Sequence, residues 1–423
     1  MTSCLKPSTR SSPNHMANTH RDLPSLCSAR FKAVLVAVSA ATLLLGCAEV
    51  TEETTPTEPQ PSSSAESATP GESAPGPAIN SCAQLAESLP LERRVGQLFM
   101  VGVSTSGLDE ITKTAIEETS TGSVVLLGNT INGADAIANL TEELSELGGD
   151  EVPLLIAVDQ EGGQVQRLQG PGFSDMPTAV EQGQLPEGEL QEKARQWGEE
   201  LAKAGIHYGL APVADVVPEE KQDSNEPIGV LRRNFGNDPE AVARSVVEFV
   251  GGMAQAGVAT SLKHFPGLGQ VTENTDFGVA LDDDVIPDDP NWLGFTSGIE
   301  AGAASVMVSS AIFTNLDPDS EGVFSHHIIT EILRIQLGFD GVVIADDLGA
   351  AEAVSDTSPA DRGIRFIEAG GDIVINADPT ILQEMVGASL KRADANPEFE
   401  VRVTESAVRV LQLKADVGLI ECN

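Results

Sequence analysis

The chain alternates short, almost continuous apolar runs with longer amphipathic stretches. The eight apolar runs are VGQLFMVGV (95–103), SVVLLG (123–128), LLIAVD (154–159), IHYGLAPVADV (206–216), ATSLKHF (259–265), SVMVSS (305–310), VVIADD (342–347) and DIVINAD (372–378). Segments of helical length separate them, among them ELQEKARQWGEELAKAG and SHHIITEILRIQLG. Such runs are typical of parallel strands covered on both faces. The pattern predicts an α/β fold, a single (β/α)8 TIM-type barrel, with a doubly wound sheet as the alternative.

Glycines close several of the amphipathic segments just before the next apolar run begins. They are Gly205, Gly257, Gly338 and Gly371. Glycine adopts the left-handed conformation that commonly ends a helix. We therefore expect each of these residues to end a helix.

Polar residues cluster where the predicted strands end. Active sites of barrels lie at the C-terminal ends of the strands. Carboxylates and bases that end apolar strands are costly unless they are paired or used in function, so they are candidates for chemistry. The residues at these ends are Asn129, Asp159, Asp215, Lys263, His264, Ser309, Ser310, Asp346, Asp347, Asn376 and Asp378.

The first 46 residues are predicted to be a signal peptide. Arg30 and Lys32 precede the apolar run AVLVAVSAATLLLG, which is too short to span a membrane. The tetrapeptide LLGC resembles a bacterial lipobox, in which Cys47 becomes lipidated; a plain signal peptide with an incidental Cys is the alternative. Met16 is an alternative start. We expect an exported protein, held on the outer side of the cell membrane by lipid alone.

Residues 47–80 are rich in Pro, Ser, Thr and Glu and predict a disordered tether, because such a segment buries too little apolar surface to fold. The barrel domain then covers residues 81–423.

Cys82 and Cys422 lie at the two ends of this domain, and oxidising conditions outside the cell favour a disulfide between them. Two free thiols are the alternative.

The charge of the chain is strongly acidic. Residues 1–46 hold five bases and one acid of the 25 and 64 in the whole chain, so the remainder has 20 bases and 63 acids, a formal charge of −43. This charge argues against nucleic acid as a partner and favours neutral substrates, with solubility as the plainer explanation. The histidines are scattered and neither CxxC nor HExxH occurs, so we expect no metal and no cofactor.

Several ordered motifs resemble glycoside hydrolase family 3, in particular its single-domain β-N-acetylglucosaminidase branch. They are LERRVGQLFMVG, VDQEGGQVQRL (158–168), GLAPVADV (209–216), RRNFGNDPE (232–240), KHFPGLG (263–269), LGFDGVVIADDLGA (337–350) and EAGGDIVIN (368–376). The resemblance covers nearly the whole domain. It implies a barrel that hydrolyses terminal β-linked GlcNAc with retention of configuration, with cell-wall fragments as the expected source.

The resemblance also implies roles for individual residues. Asp346 matches the nucleophile, which would form a covalent glycosyl-enzyme, and Asp347 would support it without touching the sugar. Family β-glucosidases usually have Trp after the nucleophile; Asp347 and Leu348 here, and the chain end at Asn423 without a second domain, favour the hexosaminidase branch.

Five further residues match sugar-binding positions of the family, with Asp215 as a supporting group. They are Asp159, Arg167, Arg233, Lys263 and His264. Charged donors and acceptors of this kind hold neutral sugars through paired hydrogen bonds. For Arg167 and Arg233, a structural ion pair with Asp159 or Asp215 is the alternative.

The loop KHFPGLGQVTENTDFG (263–278) departs from the family pattern KHFPGHG-x-x-x-x-DSH. Leu268, Asn274 and Asp276 stand where the pattern has His, Asp and His, so the usual acid/base dyad is absent. Asp276, or alternatively Glu273, would serve as the acid with a raised pKa. A slow enzyme that needs activated aglycones, and an inactive sugar-binding domain, are the other interpretations. A carboxylate here repels phosphate, which predicts hydrolysis rather than phosphorolysis.

Two rival functions remain open at this stage. A sugar-binding lipoprotein of an uptake system would carry the same lipobox and linker, but neither Trp197 nor Trp292 lies at a strand end, where such a protein needs aromatic residues. A β-glucosidase or xylosidase of the same family would keep the mechanism and change the pocket. We expect a carbohydrate substrate and a monomer in either enzymatic case.

Overall fold

The structure is a computed structural model that describes residues 81–149 and 151–422. The predicted signal peptide (1–46), the lipid attachment at Cys47 and the tether (47–80) lie outside the described residues and stay predictions. Within the described ranges, no helix combines the length and the apolar character that crossing a membrane requires.

Eight parallel strands follow one another around a barrel in chain order. They are β1 (Phe99–Ser104), β2 (Ser123–Leu127), β3 (Leu155–Val158), β4 (Tyr208–Gly209), β5 (Ala259–Phe265), β6 (Ser305–Val308), β7 (Val342–Ala345) and β8 (Val374–Asn376). β8 pairs with β1, and a parallel bridge between Ile344 and Ile373 joins β7 to β8. The predicted barrel is confirmed. The doubly wound alternative is wrong, because consecutive strands are neighbours all the way round.

Helices cover the outside of the barrel, and most of them connect consecutive strands. They are α1 (Ser81–Ser88), α2 (Leu91–Gln97), α3 (Glu110–Thr119), α4 (Ala134–Gly148), α5 (Ala179–Gln182), α6 (Glu189–Lys203), α7 (Pro239–Gln255), α8 (Leu293–Glu300), α9 (Pro359–Ala369), α10 (Leu382–Ala395), α11 (Pro397–Asp416) and, between β6 and β7, a π-helix (His327–Gln336). Local sequence sets several of their starts. Asp109 caps α3 and Asp238 caps α7 by accepting backbone N–H hydrogen bonds.

The core has two layers because side chains alternate along each strand. In β3, Leu155 and Ala157 point into the barrel, whereas Ile156 and Val158 pack under the helices. The short strand β4 contributes Tyr208 to the interior, where its hydroxyl is hydrogen-bonded to Ser305. The barrel is therefore a filled scaffold, and its loops are left to form the site.

Three sequence-based details differ from the structure. The run 95–103 is not strand throughout, because Val95 to Gln97 complete α2. The run 206–216 gives only the two-residue strand β4, and the rest, which contains Pro212, is irregular. Gly205, Gly257 and Gly338 adopt a positive φ as predicted, but Gly370 rather than Gly371 caps α9. Gly371 serves packing instead, since a Cβ there would lie 2.2 Å from the Phe366 ring.

A disulfide joins Cys82 in α1 to Cys422 near the C-terminus, with their Cα atoms 5.0 Å apart. Cys82 is fully buried. The bond spans 340 residues and ties together the two ends of the described domain. The free-thiol alternative does not hold in this structure.

Candidate active site

A cavity of about 290 Å³ opens at the C-terminal ends of the barrel strands. Apolar side chains from inside the barrel, such as Leu210 and Met307, form part of its wall. The charged and titratable groups on the wall come from the end of β5 and from the loops after β3, β4, β5 and β7. They are Asp159, Arg167, Arg233, Lys263, His264, Asp276, Asp346 and Asp347.

Lys263, near the end of β5, is the buried cation of the site. Its ammonium lies 2.7 Å from Asp159 Oδ1 and 2.6 Å from Glu161 Oε1, and the residue is only 2% exposed. Burial by itself would lower the pKa of Lys263, but the two carboxylates outweigh it and raise that pKa above its usual value. Lys263 therefore stays charged and fixes Asp159, which is one-fifth exposed, at the cavity wall.

Glu161 is the central carboxylate that sequence reasoning missed. It accepts a two-pronged pair of hydrogen bonds from Arg233 Nε and Nη2, each 2.8 Å long, in addition to its contact with Lys263. Burial would raise the pKa of Glu161, yet Arg233 and Lys263 hold it well below its usual range. The motif DQEGG could have indicated this role of Glu161, because an acidic residue that follows an apolar strand and is buried there needs a charged partner.

Arg233 is thus paired with Glu161, and the alternative of a structural ion pair with Asp159 or Asp215 is wrong. The same correction applies to Arg167. Its Nη1 donates to Asn129 Oδ1 at 3.0 Å, and among the described residues no group accepts from its buried Nε. Because neither carboxylate neutralises it, Arg167 keeps hydrogen-bonding capacity at the cavity wall.

Asp215 orients His264. Its Oδ2 lies 2.8 Å from His264 Nδ1, and Asp215 also accepts backbone N–H groups from His264 and Leu268. A carboxylate partner places the proton of the neutral ring on Nδ1. Nε2 then acts as an acceptor, 3.4 Å from Arg233 Nη2. Asp215 is only 1% exposed, so it supports the site from behind the wall.

Asp346 follows β7 directly and faces the cavity. Its backbone N–H donates to Val308 O, and its Oδ1 accepts the N–H of Asp347. In the described part of the chain, Asp346 forms no ion pair, in contrast to Asp159 and Glu161. An unpaired carboxylate at a strand end keeps a lone pair available for a reacting atom.

Asp347 differs from its neighbour because its oxygens are occupied by backbone donors. Oδ1 accepts from Gly349 and Ala377, and Oδ2 accepts from Ala350, all at 2.8 Å. Burial nevertheless raises the pKa of Asp347. These bonds connect the loop after β7 to the loop after β8, so Asp347 holds Asp346 in place.

Asp276 reaches the cavity from the loop after β5. The loop is attached to the loop after β7, since Ala353 N donates to Thr275 O and Glu352 N donates to Asp276 O. One side of Asp276 remains exposed to solvent. On the other side, partial burial and, next, the Asp346 carboxylate raise the pKa of Asp276 above its usual range. The site thus combines an unpaired carboxylate with a second carboxyl whose protonated form is favoured.

The family model described as the glycosyl hydrolase family 3 N terminal domain matches residues 90–413. The chain belongs to glycoside hydrolase family 3. The resemblance inferred from the motifs, including the β-N-acetylglucosaminidase branch, is confirmed.

Three relatives illustrate the similarity of this family 3 domain. A β-hexosaminidase of Xylella fastidiosa is 33% identical over 307 residues, which are 69% of this chain and 86% of the relative. A β-N-acetylhexosaminidase structure from Beutenbergia cavernae has 50% identity and a TM-score of 0.76, covering 78% of this chain and 99% of that one. A family 3 β-N-acetylglucosaminidase from Paenibacillus has 29% identity and a TM-score of 0.72, covering 78% and 63%.

Not every predicted residue of the family 3 domain reaches the cavity. Glu273, the alternative acid, is exposed and is not among the residues that line the wall, whereas Asp276 is. The strand-end residues Ser309 and Asn376 are buried instead, and their side chains accept the backbone N–H groups of Ala311 and Asp378, respectively. Among the described residues, no group of three or more His, Cys, Asp or Glu side chains could hold a metal ion. The expectation of no metal and no cofactor stays a prediction.

Proposed function

We propose that this family 3 enzyme is an exo-acting, retaining β-N-acetylglucosaminidase that removes terminal β-linked GlcNAc through a covalent intermediate on Asp346. The observation that supports this most is the pair of carboxyl groups on one cavity wall. Asp346 is unpaired, whereas the pKa of Asp276 is raised by burial and by Asp346. Environments that separate the protonation states of two carboxyl groups are how glycosidases divide the nucleophile and acid roles.

The polar part of the cavity wall can hold the non-reducing sugar through hydrogen bonds. Asp159, Arg167 and His264 present acceptors and donors, while Lys263 and Asp215 hold two of them in position. At about 290 Å³ the cavity is at the small end of ligand pockets, and the packed barrel core closes it from below. A pocket of this kind holds one terminal ring rather than a continuing chain, which favours exo action.

The reaction proceeds in two steps. In the first, an oxygen of Asp346 bonds to the anomeric carbon, the glycosidic C–O bond breaks, and the leaving oxygen takes the proton of Asp276. In the second, the Asp276 carboxylate removes a proton from water, the water oxygen bonds to the anomeric carbon, and Asp346 departs with the electron pair of its bond. Two inversions give retention of configuration.

Water rather than phosphate is the acceptor in this proposal. Once Asp276 has given up its proton, Asp346 is bonded to the sugar and uncharged, but the Asp276 carboxylate carries a negative charge at the place where the acceptor approaches. Like charges at short range in a partly desolvated site repel strongly, so phosphate is disfavoured while neutral water is not. Release of GlcNAc-1-phosphate in the presence of phosphate would contradict this part of the proposal.

The location and the natural substrate also belong to the proposal. The lipobox-like LLGC and the polar segment 47–80 support an exported protein that is anchored outside the cell membrane through Cys47, and we propose that it is a monomer. Terminal GlcNAc is available there on peptidoglycan fragments, which we propose as the source. The strongly acidic charge of the chain is consistent with a carbohydrate partner and disfavours nucleic acid.

The experiment compares release of 4-nitrophenol from its β-GlcNAc and its β-glucoside by the wild type, Asp346→Ala and Asp276→Asn. We expect the GlcNAc substrate to be preferred and Asp346→Ala to be inactive. Asp276→Asn should lose far more activity on an alkyl or sugar aglycone than on nitrophenol, which needs little protonation. Equal loss on both would exclude Asp276 as the acid. Sugar binding by a wild type without turnover would favour the inactive sugar-binding interpretation.

A further inference from the structure

The cavity wall lacks a feature that sugar sites often use. The described residues that line it include no Phe, Tyr or Trp. Phe277, however, directly follows Asp276 in the loop after β5 and is 82% exposed. A large apolar ring that stands in solvent beside a polar site is informative, because burying it against a ligand is favourable.

The loop holds Phe277 in a defined place. Its N–H donates to Asn274 O at 3.0 Å, which closes a turn, and the same turn is hydrogen-bonded to Ala353 and Glu352 in the loop after β7. Asp276 N also donates to Asn274 Oδ1 at 3.0 Å. The Phe277 backbone is therefore fixed relative to the loop that carries Asp346.

We propose that Phe277 is the platform on which the leaving sugar ring, the aglycone next to the scissile bond, stacks. This inference rests on the proposed function, in which Asp276 protonates the glycosidic oxygen. The residue next to that acid borders the aglycone side of the bond. The cavity behind Asp276 takes a single ring, so the second ring lies at the rim, where its apolar C–H face covers the exposed aromatic ring.

The proposal predicts a kinetic pattern. The aglycone is gone once the glycosyl-enzyme has formed, so Phe277 acts only in the first step. Phe277→Ala should lower kcat/KM for a disaccharide about tenfold, which corresponds to ~1.4 kcal/mol of lost transition-state binding. It should leave kcat/KM unchanged for a substrate whose leaving group is too small to stack.

The test uses N,N′-diacetylchitobiose and the β-azide of GlcNAc, with sugar release measured for each. Phe277→Ala should be impaired on the disaccharide alone. Phe277→Trp, which keeps an aromatic ring, should retain activity close to that of the wild type on both substrates. The control is Ile335→Ala, which removes another strongly exposed apolar side chain (72%) from the π-helix on the outside of the barrel. It should behave like the wild type on both substrates.

Three results would overturn the inference. They are equal loss by Phe277→Ala on both substrates, no loss on the disaccharide, and loss in Ile335→Ala as large as in Phe277→Ala. Failure of the proposed function would look different, since the wild type would then release no GlcNAc from either substrate in an Asp346-dependent way.

Discussion

Asp276 and Asp346 face one cavity from the loops after β5 and β7, and the Asp346 carboxylate is, after burial, the main cause of the raised pKa of Asp276. A negative nucleophile keeps the proton on its neighbour until the glycosidic oxygen takes it. The loss of the usual Asp–His dyad is thus compatible with acid catalysis by a carboxyl group.

The pH dependence of the reaction follows from this pair. Asp276 must be protonated in the first step, so kcat/KM for N,N′-diacetylchitobiose should fall on the alkaline side, about tenfold per pH unit above the pKa of Asp276. Because that pKa is raised, the fall should begin above the range usual for Asp. In Asp276→Asn the remaining activity on N,N′-diacetylchitobiose should lack this alkaline limb. If the alkaline limb of the pH profile kept its position in Asp276→Asn, it would have to be assigned to another titratable group.

Removing the buried cation Lys263 should destabilise the folded protein. Lys263→Met leaves Asp159 and Glu161 without their ammonium partner at 2.7 and 2.6 Å. Breaking a buried ion pair from one side costs about 3–5 kcal/mol in the free energy of unfolding. Urea denaturation measures this cost. Lys193→Met removes an exposed pair with Glu189 and is the matched control, with an expected change of about 0.5 kcal/mol or less. Similar costs for both variants would contradict the assignment of a buried pair.

The orientation of His264 should depend on Asp215. In Asp215→Asn an amide replaces the carboxylate that accepts from Nδ1 and from two backbone N–H groups. Losing a hydrogen bond to a charged group costs about 1.5–3 kcal/mol, so kcat/KM should fall roughly tenfold to a hundredfold. Asp238→Asn is the control, because Asn keeps the cap of α7. Wild-type kinetics in Asp215→Asn would show that His264 does not need this partner.

A second buried lysine, Lys414, lies away from the cavity and should control stability rather than activity. It is fully buried in α11 and donates to Gln97 Oε1 at 2.6 Å and to Pro153 O at 2.8 Å. Burial and, next, Arg93 lower the pKa of Lys414 to about 7.

In the unfolded chain Lys414 titrates near 10.4, so between about pH 7 and pH 10 the unfolded state binds more protons than the folded state. This group therefore makes stability increase with pH across that window; its contribution is lost progressively as the pH falls from about 10, and the loss is complete below about pH 7. Lys414→Met should flatten the dependence of the free energy of unfolding on pH between about pH 7 and pH 10, measured by urea denaturation at several pH values. Lys391→Met, at an exposed position of α10, should leave this dependence unchanged. An unchanged slope in Lys414→Met would refute the lowered pKa.

The sequence predicts the scaffold well because periodicity is a local property. The apolar runs and the amphipathic segments identify the eight strands, and the order of strand ends brings Asp159, Lys263 and Asp346 to the same face. The disulfide between Cys82 and Cys422 joins the positions expected from the location of the cysteines.

The pairing of charges could not be predicted in the same way. Arg233 binds Glu161, not Asp159 or Asp215, because the hairpin of Gln160–Gly162 with Val165–Gln166 directs Glu161 inward. That direction depends on tertiary geometry. The cis peptide bond between Lys263 and His264 is equally invisible in the sequence. The preference for Asp276 over Glu273 also required the structure, since only the path of the loop separates two acids three residues apart.

The central claim is that Asp346 becomes covalently bonded to the sugar, and trapping tests it most directly. The enzyme is incubated with a 5-fluoro analogue of GlcNAc fluoride, which slows both steps, and its peptides are then examined by mass spectrometry. The account predicts one sugar per chain, attached to Asp346, and no label in Asp346→Ala. Label on another residue, or turnover of β-GlcNAc substrates with inversion and no label at all, would contradict it.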